Sequence, residues 1–176
     1  MALLDPADVA GVTPLLHAIE HQLPGIVTTE GSGDWYLFYD PDGITRPDQR
    51  FPFCTLVTGD RYDAASRLDR DPATYRVNVG VDRRCYEDLF GPAPRQAAGH
   101  EVIETGFDYA ATDTLLPHPF YAPMHWVCVV NPVTGPGRGW ASCSTWRTPW
   151  PGAPTTTARG AGPRHALATG RPTLTR

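Results

Sequence analysis

The sequence predicts an α+β fold: a single domain with an antiparallel sheet of about four or five strands, an N-terminal helix, a short helix after a Tyr75–Val81 strand, and an irregular C-terminal segment. Three observations carry this expectation. One early run of apolar residues recurs at helical steps, and several short stretches rich in β-branched and aromatic residues follow it, separated by turn chemistry. At 176 residues the chain suits one core and is short for two.

Asp5 followed by Pro6 reads as an N-cap with proline at the first helical position, and Val9, Val12, Leu15, Leu16, Ile19 and Leu23 form the apolar stripe. Gly11 and Pro14 disturb this helix, and Pro24-Gly25 end it. GIVTTE, DWYLFYD and FPFCTLVTGD then read as an antiparallel meander, with turns at Gly31–Gly33 and Pro41-Asp42-Gly43. In YRVNVGV, Tyr75, Val77, Val79 and Val81 alternate with Arg76, Asn78 and Gly80, which predicts a strand with one dry face. Arg76 and Asn78 then look either into a second layer or into solvent. Asp82 caps the short helix DRRCYEDLFG, closed by Gly91 and Pro92. Residues 93–105 read as a surface loop, Phe107–Leu116 as one helical turn, and PHPFYAP as extended because proline disfavours the α conformation in the residue before it. MHWVCVVNP is apolar enough for a central strand.

Composition narrows the class further. The N-terminus carries Asp5 and Asp8 with no basic or apolar leader region, and no apolar run reaches the roughly 20 residues of a membrane span, so the expected location is the cytoplasm. Cys54, Cys85, Cys128 and Cys143 are far apart with no CxxC pair, the pattern of reduced, buried thiols. Every basic residue except histidine is Arg, a skew that points to a GC-rich coding sequence. Charge divides unevenly along the chain. Residues 1–137 hold 9 Arg and all 19 acids, a net of −10, while residues 138–176 hold 6 Arg and no acid.

WYLFYDPDG, RFPFCTLVTGD, the ASRLDR stretch leading into YRVNVGV, and DTLLPHPFYAPMHWVCVVNP together resemble an actinobacterial family known as domain of unknown function 6194. The resemblance covers roughly residues 5–133, and its layout is distantly similar to the YjbR-like double-wing domains. It implies no established activity and no catalytic residue. In that family an amphipathic helix follows the final strand, and here the chain departs from the pattern. The segment after Pro132 has no helical or strand period and is rich in Pro, Thr, Gly and Arg, a composition that predicts disorder over residues 138–176.

A shifted reading frame accounts for this composition. If each codon is re-read from the last base of one residue and the first two of the next, every residue whose codon begins with T becomes apolar. Trp140, Cys143, Trp146 and Trp150 are then forced to be apolar and Ser144 is allowed to be, which places apolar sites close to one helical face. Every Thr becomes polar. The segment is thus read as a frameshift product, with a natural basic tail as the alternative, and the lost helix as one intended to cover a sheet face.

Candidate chemistry is sparse. His17 and His21 sit four apart on the first helix with Glu20 between them, but the HExxH order and a third ligand are missing, so no metal is expected there. Pro117-His118-Pro119, with Tyr121, His125 and Trp126, gathers imidazoles and aromatic rings on a stiff segment that suits either a ligand site or a plain crossover. Arg76 is the best anion contact such a site would have, or else the partner of one of the many acids. The candidate ligand-binding residues are therefore Arg76, His118, Tyr121 and Trp126, with no catalytic residue and no cofactor. GxSxG, P-loop and GxGxxG signatures are all missing. The leading functional class is a binding or accessory module for a small molecule or a protein. An enzyme built on a His118-centred pocket is the alternative. Nucleic-acid binding rests on the double-wing likeness, and the net charge of residues 1–137 opposes it.

Overall fold

Gly11, at φ 104°, opens helix α1 (Val12–Gln22), which buries Leu15, Leu16 and Ile19 and leaves His17, Glu20 and His21 in water. The computed structural model describes residues 11–62, 64–95 and 101–133. The expected cap at Asp5-Pro6 and the C-terminal segment 138–176 lie outside them. Gly11 does not interrupt α1 but precedes it, and Pro14 causes no kink. As the third residue of the helix it lacks only an N–H that has no intrahelical partner in the first turn.

The sheet has six strands rather than four or five. β1 (Ile26–Gly31), β2 (Asp34–Tyr39), β3 (Cys54–Val57), β4 (Arg76–Gly80), β5 (Leu116–Pro117) and β6 (Trp126–Val130) lie in the order β1-β2-β3-β4-β6-β5, every strand pair antiparallel. The first four form the expected meander. The chain then leaves through helix α2 (Arg83–Phe90) and returns at the far edge as β5, and β6 folds back between β5 and β4. The additional strand is the short β5, whose two residues carry too little pattern to be seen in sequence.

Register separates two faces. Leu37, Cys54, Val79 and Val127 align across the sheet, as do Trp35, Leu56, Val77 and Val129 one step along. These rows pack against α1 and against Cys85 and Tyr86 of α2 in the main core. Leu37 and Leu56 are fully buried, each contributing about 1.5–3 kcal/mol. α2 is fixed at both ends: the Asp82 carboxylate accepts the Cys85 N–H (2.8 Å), and Gly91, at φ 77°, turns its N–H to the Glu87 carbonyl.

The opposite face carries the row Tyr36, Thr55, Asn78, Cys128 and Leu116, flanked on β4 by Arg76 and Gly80. The expectation of one dry face for β4 is corrected, since all five of its residues are buried. Ser66 and Leu68 from the β3–β4 connection and Tyr109 from the segment before β5 form the second layer. Two further expectations change. Phe107–Leu116 makes no helix; Asp108 accepts the Ala110 N–H, Asp113 stands at φ 49°, and Leu116 enters β5. PHPFYAP is extended only at Pro117, after which the chain turns into a single 3₁₀ turn at Ala122–Met124. Within the 93–105 segment, residues 96–100 are outside the described ones, and Ile103 is buried with its N–H on the Pro119 carbonyl. Cys54 and Cys128 are free and buried, whereas Cys85 is disulfide-bonded rather than reduced. No helix among the described residues is long and apolar enough to cross a membrane.

Candidate functional site

The PHP segment turns because His118 makes it turn. Its Nδ1 accepts the backbone N–H groups of Phe120 and Tyr121, both at 3.1 Å, so the imidazole works as a local cap on the bend. Its own N–H bonds the Trp126 carbonyl, which extends the β5–β6 ladder by one residue and puts the ring on the Trp126 side of the sheet. With Nδ1 accepting, the ring proton of the neutral form sits on Nε2. Burial, followed by the charge of Arg76, holds the imidazole pKa well below its ordinary value. His118 is therefore a neutral ring with Nε2–H as donor, and no hydrogen-bond partner for that group exists among the described residues.

Around it the rings of His118, Tyr121 and Trp126 touch one another, with centroids 4.8 Å (His118–Tyr121), 6.4 Å (His118–Trp126) and 6.4 Å (Tyr121–Trp126) apart. Phe51 meets Trp126 edge-on at 6.2 Å from across β4. The residue of β4 opposite Trp126 is Gly80, and the side chain it lacks lets these two rings approach over the strand. Exposure divides the cluster into a floor and a rim: Trp126 is 5% exposed and His118 3%, while Phe51 is 51% and Tyr121 45% exposed. Phe51 is carried by the Asp40–Arg50 loop, which Asp40 pins through Thr45 (Oγ1, 3.0 Å) and Arg50 (Nη2, 2.9 Å).

Asn78 lies on the same face, two residues before Gly80 on β4. Its Nδ2 donates to Thr55 Oγ1 at 2.9 Å, and its Oδ1, fully buried, has no partner. Beyond Thr55, burial and the Tyr62 hydroxyl push the Tyr36 phenol up to about 12, so it is neutral too.

Of the four residues expected to form a site, His118, Tyr121 and Trp126 come together. Arg76 is on the same face but four residues from Gly80, about 13 Å along the strand. It is buried, with Nη1 on Ser66 Oγ at 2.8 Å among its contacts, and it reaches His118 by its field. His125 turns away: at φ 61° it puts its ring against Tyr86 in the main core. Phe51, Thr55 and Asn78 were not among the expected residues. The alternation in YRVNVGV did signal that Asn78 shares a face with Arg76, but Phe51 reads as strand and carries no signal of its own. Among the described residues no group of three or more His, Cys, Asp or Glu is placed to hold a metal ion.

A model of a family of unknown function, DUF6194, matches residues 11–138, most of the chain and every element described above. The chain belongs to the DUF6194 family. No curated protein and no solved structure matches it. The aromatic cluster, Asn78 and His118 all fall within the stretch that matches DUF6194, whereas residues 139–176, set apart in the sequence by their composition, fall beyond it.

Proposed function

We propose that this DUF6194 domain is a small-molecule binding module and that its ligand rests on the Trp126 cluster. The observation that carries this reading is the graded exposure of a chain of four touching rings, with a buried floor and a rim of two half-exposed aromatics. Small-molecule sites combine aromatic walls with a few fixed polar groups in this way.

The chemistry of His118 favours binding over catalysis. A general base needs a free imidazole lone pair and a pKa near the working pH. Here the lone pair of Nδ1 is engaged by two backbone N–H groups, Nε2 already bears the proton, and burial and Arg76 oppose a second one. A macromolecular partner is disfavoured on nucleic acid by the net charge of residues 1–137. Location in the cytoplasm remains part of the proposal.

Saturation-transfer NMR with a library of small aromatic and aliphatic fragments tests the reading. Phe51→Ala and Tyr121→Ala remove exposed rim rings and should leave the fold intact. Fragments bound by the unmodified chain should lose their signal in both variants. Signals that are equal in all three proteins, or no bound fragment at all, would remove the support for a site at this cluster.

A further inference from the structure

β1 and β5 are the two edges of the sheet, and they are built differently. The β5 edge is closed off: it spans two residues, Pro117 has no N–H, and Ile103 gives its N–H to the Pro119 carbonyl just beyond (2.8 Å). β1 runs for six residues in unbroken register with β2, without proline, bulge or basic residue to blunt it. Its one charged side chain, Glu30, is turned onto the hairpin, where the carboxylate accepts the Gly33 N–H at 2.8 Å.

In an antiparallel pair, residues bonded to the neighbouring strand alternate with residues whose N–H and C=O point away from it. The Asp40 N–H on the Gly25 carbonyl (2.9 Å) fixes the phase, so Val27, Thr29 and Gly31 bond β2, and Ile26, Thr28 and Glu30 turn outward. The two-residue turn Ser32-Gly33, at φ 58° and 86°, closes on the Gly31–Asp34 pair in the same phase. No hydrogen bond to the backbone of Ile26, Thr28 or Glu30 exists among the described residues. Three N–H and three C=O groups thus line one edge at two-residue steps.

These residues are centred on Thr28, and that symmetry selects the partner. A second copy laid antiparallel with its two-fold axis at Thr28 sets Ile26 against Glu30, Thr28 against Thr28 and Glu30 against Ile26. All three are then hydrogen-bonded pairs, and every outward group of both strands is used. Between them Val27 faces Thr29, a β-branched pair of the kind that stabilises adjacent strands, and no like charges stand directly opposite. The two Glu20 carboxylates, each holding its own Thr28 hydroxyl (2.6 Å), fall on one side of the junction, a repulsion that salt screens. We propose that this chain forms a two-fold homodimer by antiparallel β1–β1 pairing, which joins two six-stranded sheets into one.

Sedimentation and light scattering of the full chain across a dilution series test this. The mass should be twice that of the chain at high concentration and fall to the chain mass on dilution, because an edge junction is a small interface, and added salt should tighten it. Amide hydrogen exchange reads the junction itself: the N–H groups of Ile26, Thr28 and Glu30 should exchange about tenfold more slowly in the dimer than in the diluted monomer. Thr28→Pro deletes an outward N–H and no bond to β2, so it should be folded and monomeric. Thr28→Val loses the hydroxyl but keeps the N–H and should remain dimeric. A monomer at every concentration, a dimer in which those three amides exchange freely, a Thr28→Pro dimer, or loss of the dimer in both variants alike would overturn the proposal. Should Thr28→Pro not fold, mass and exchange on the unmodified chain decide alone.

Discussion

His118 is the residue whose replacement has the most calculable consequence. His118→Ala removes an acceptor that two backbone N–H groups share at 3.1 Å and leaves a hole beside Trp126 and Tyr121. At about 1 kcal/mol for each lost hydrogen bond, with a further 1–2 for the cavity, the loss should be about 2–4 kcal/mol. His118→Asn keeps an acceptor close to the Nδ1 position and should recover roughly half of it. Titration separates this role from simple packing. The folded-state pKa is depressed by burial and by Arg76. The unfolded chain, near pH 6.5, takes up a proton that the folded chain resists, so the contribution of the neutral ring is complete above about pH 6.5 and is lost as pH falls toward the folded pKa. Between pH 7.5 and 5.5 this amounts to about 1.4 kcal/mol. Urea unfolding of the parent and His118→Asn at both pH values measures it, since the other histidines are common to the two. The parent should lose about 1.4 kcal/mol more than the variant on acidification. Parallel pH dependences would refute the neutral, capping imidazole.

Other consequences follow from the same geometry. Asp82→Ala deletes the cap on the Cys85 N–H and should cost about 1 kcal/mol in urea unfolding, with Asp82→Asn close to neutral. The Cys54 thiol is buried and its pKa is pushed up by desolvation, so it and Cys128 should react with a thiol reagent only at the rate of unfolding; fast modification in native buffer would contradict their burial. Continuing the chain from Gly139 in the other reading frame should raise the melting temperature over the chain as given, and equal melting temperatures would argue that residues 138–176 are natural to it.

The meander and both helices were legible because their signals are local: periodicity for α1, Asp82 and Gly91 for α2, and turn residues between β1, β2 and β3. β5 and the 3₁₀ turn at Ala122–Met124 were not. Two residues cannot show alternation, and the bend after Pro117 depends on a side chain accepting from backbone two and three residues later. Proline at 117, 119 and 123 suggested extension by its own restriction, but it cannot report where a neighbouring imidazole turns the chain.

The site was half legible for a related reason. Alternation in YRVNVGV shows which side chains of β4 share a face, yet whether that second face is wet depends on what the chain lays over it much later. Ser66 and Leu68 come from the β3–β4 connection and Tyr109 from the segment before β5, and neither stretch carries a strong pattern. Arg76 and Asn78 were thus visible as a pair but not as buried, and the two now have different fates. Arg76 is held at the Ser66 end, while Asn78, one alternate position nearer Gly80, keeps a buried amide atom unmatched. An unmatched buried acceptor is a net cost to folding. Asn78→Leu states that cost directly: it should raise the urea midpoint of the chain, and an unchanged or lowered midpoint would show that a buried water already satisfies Oδ1.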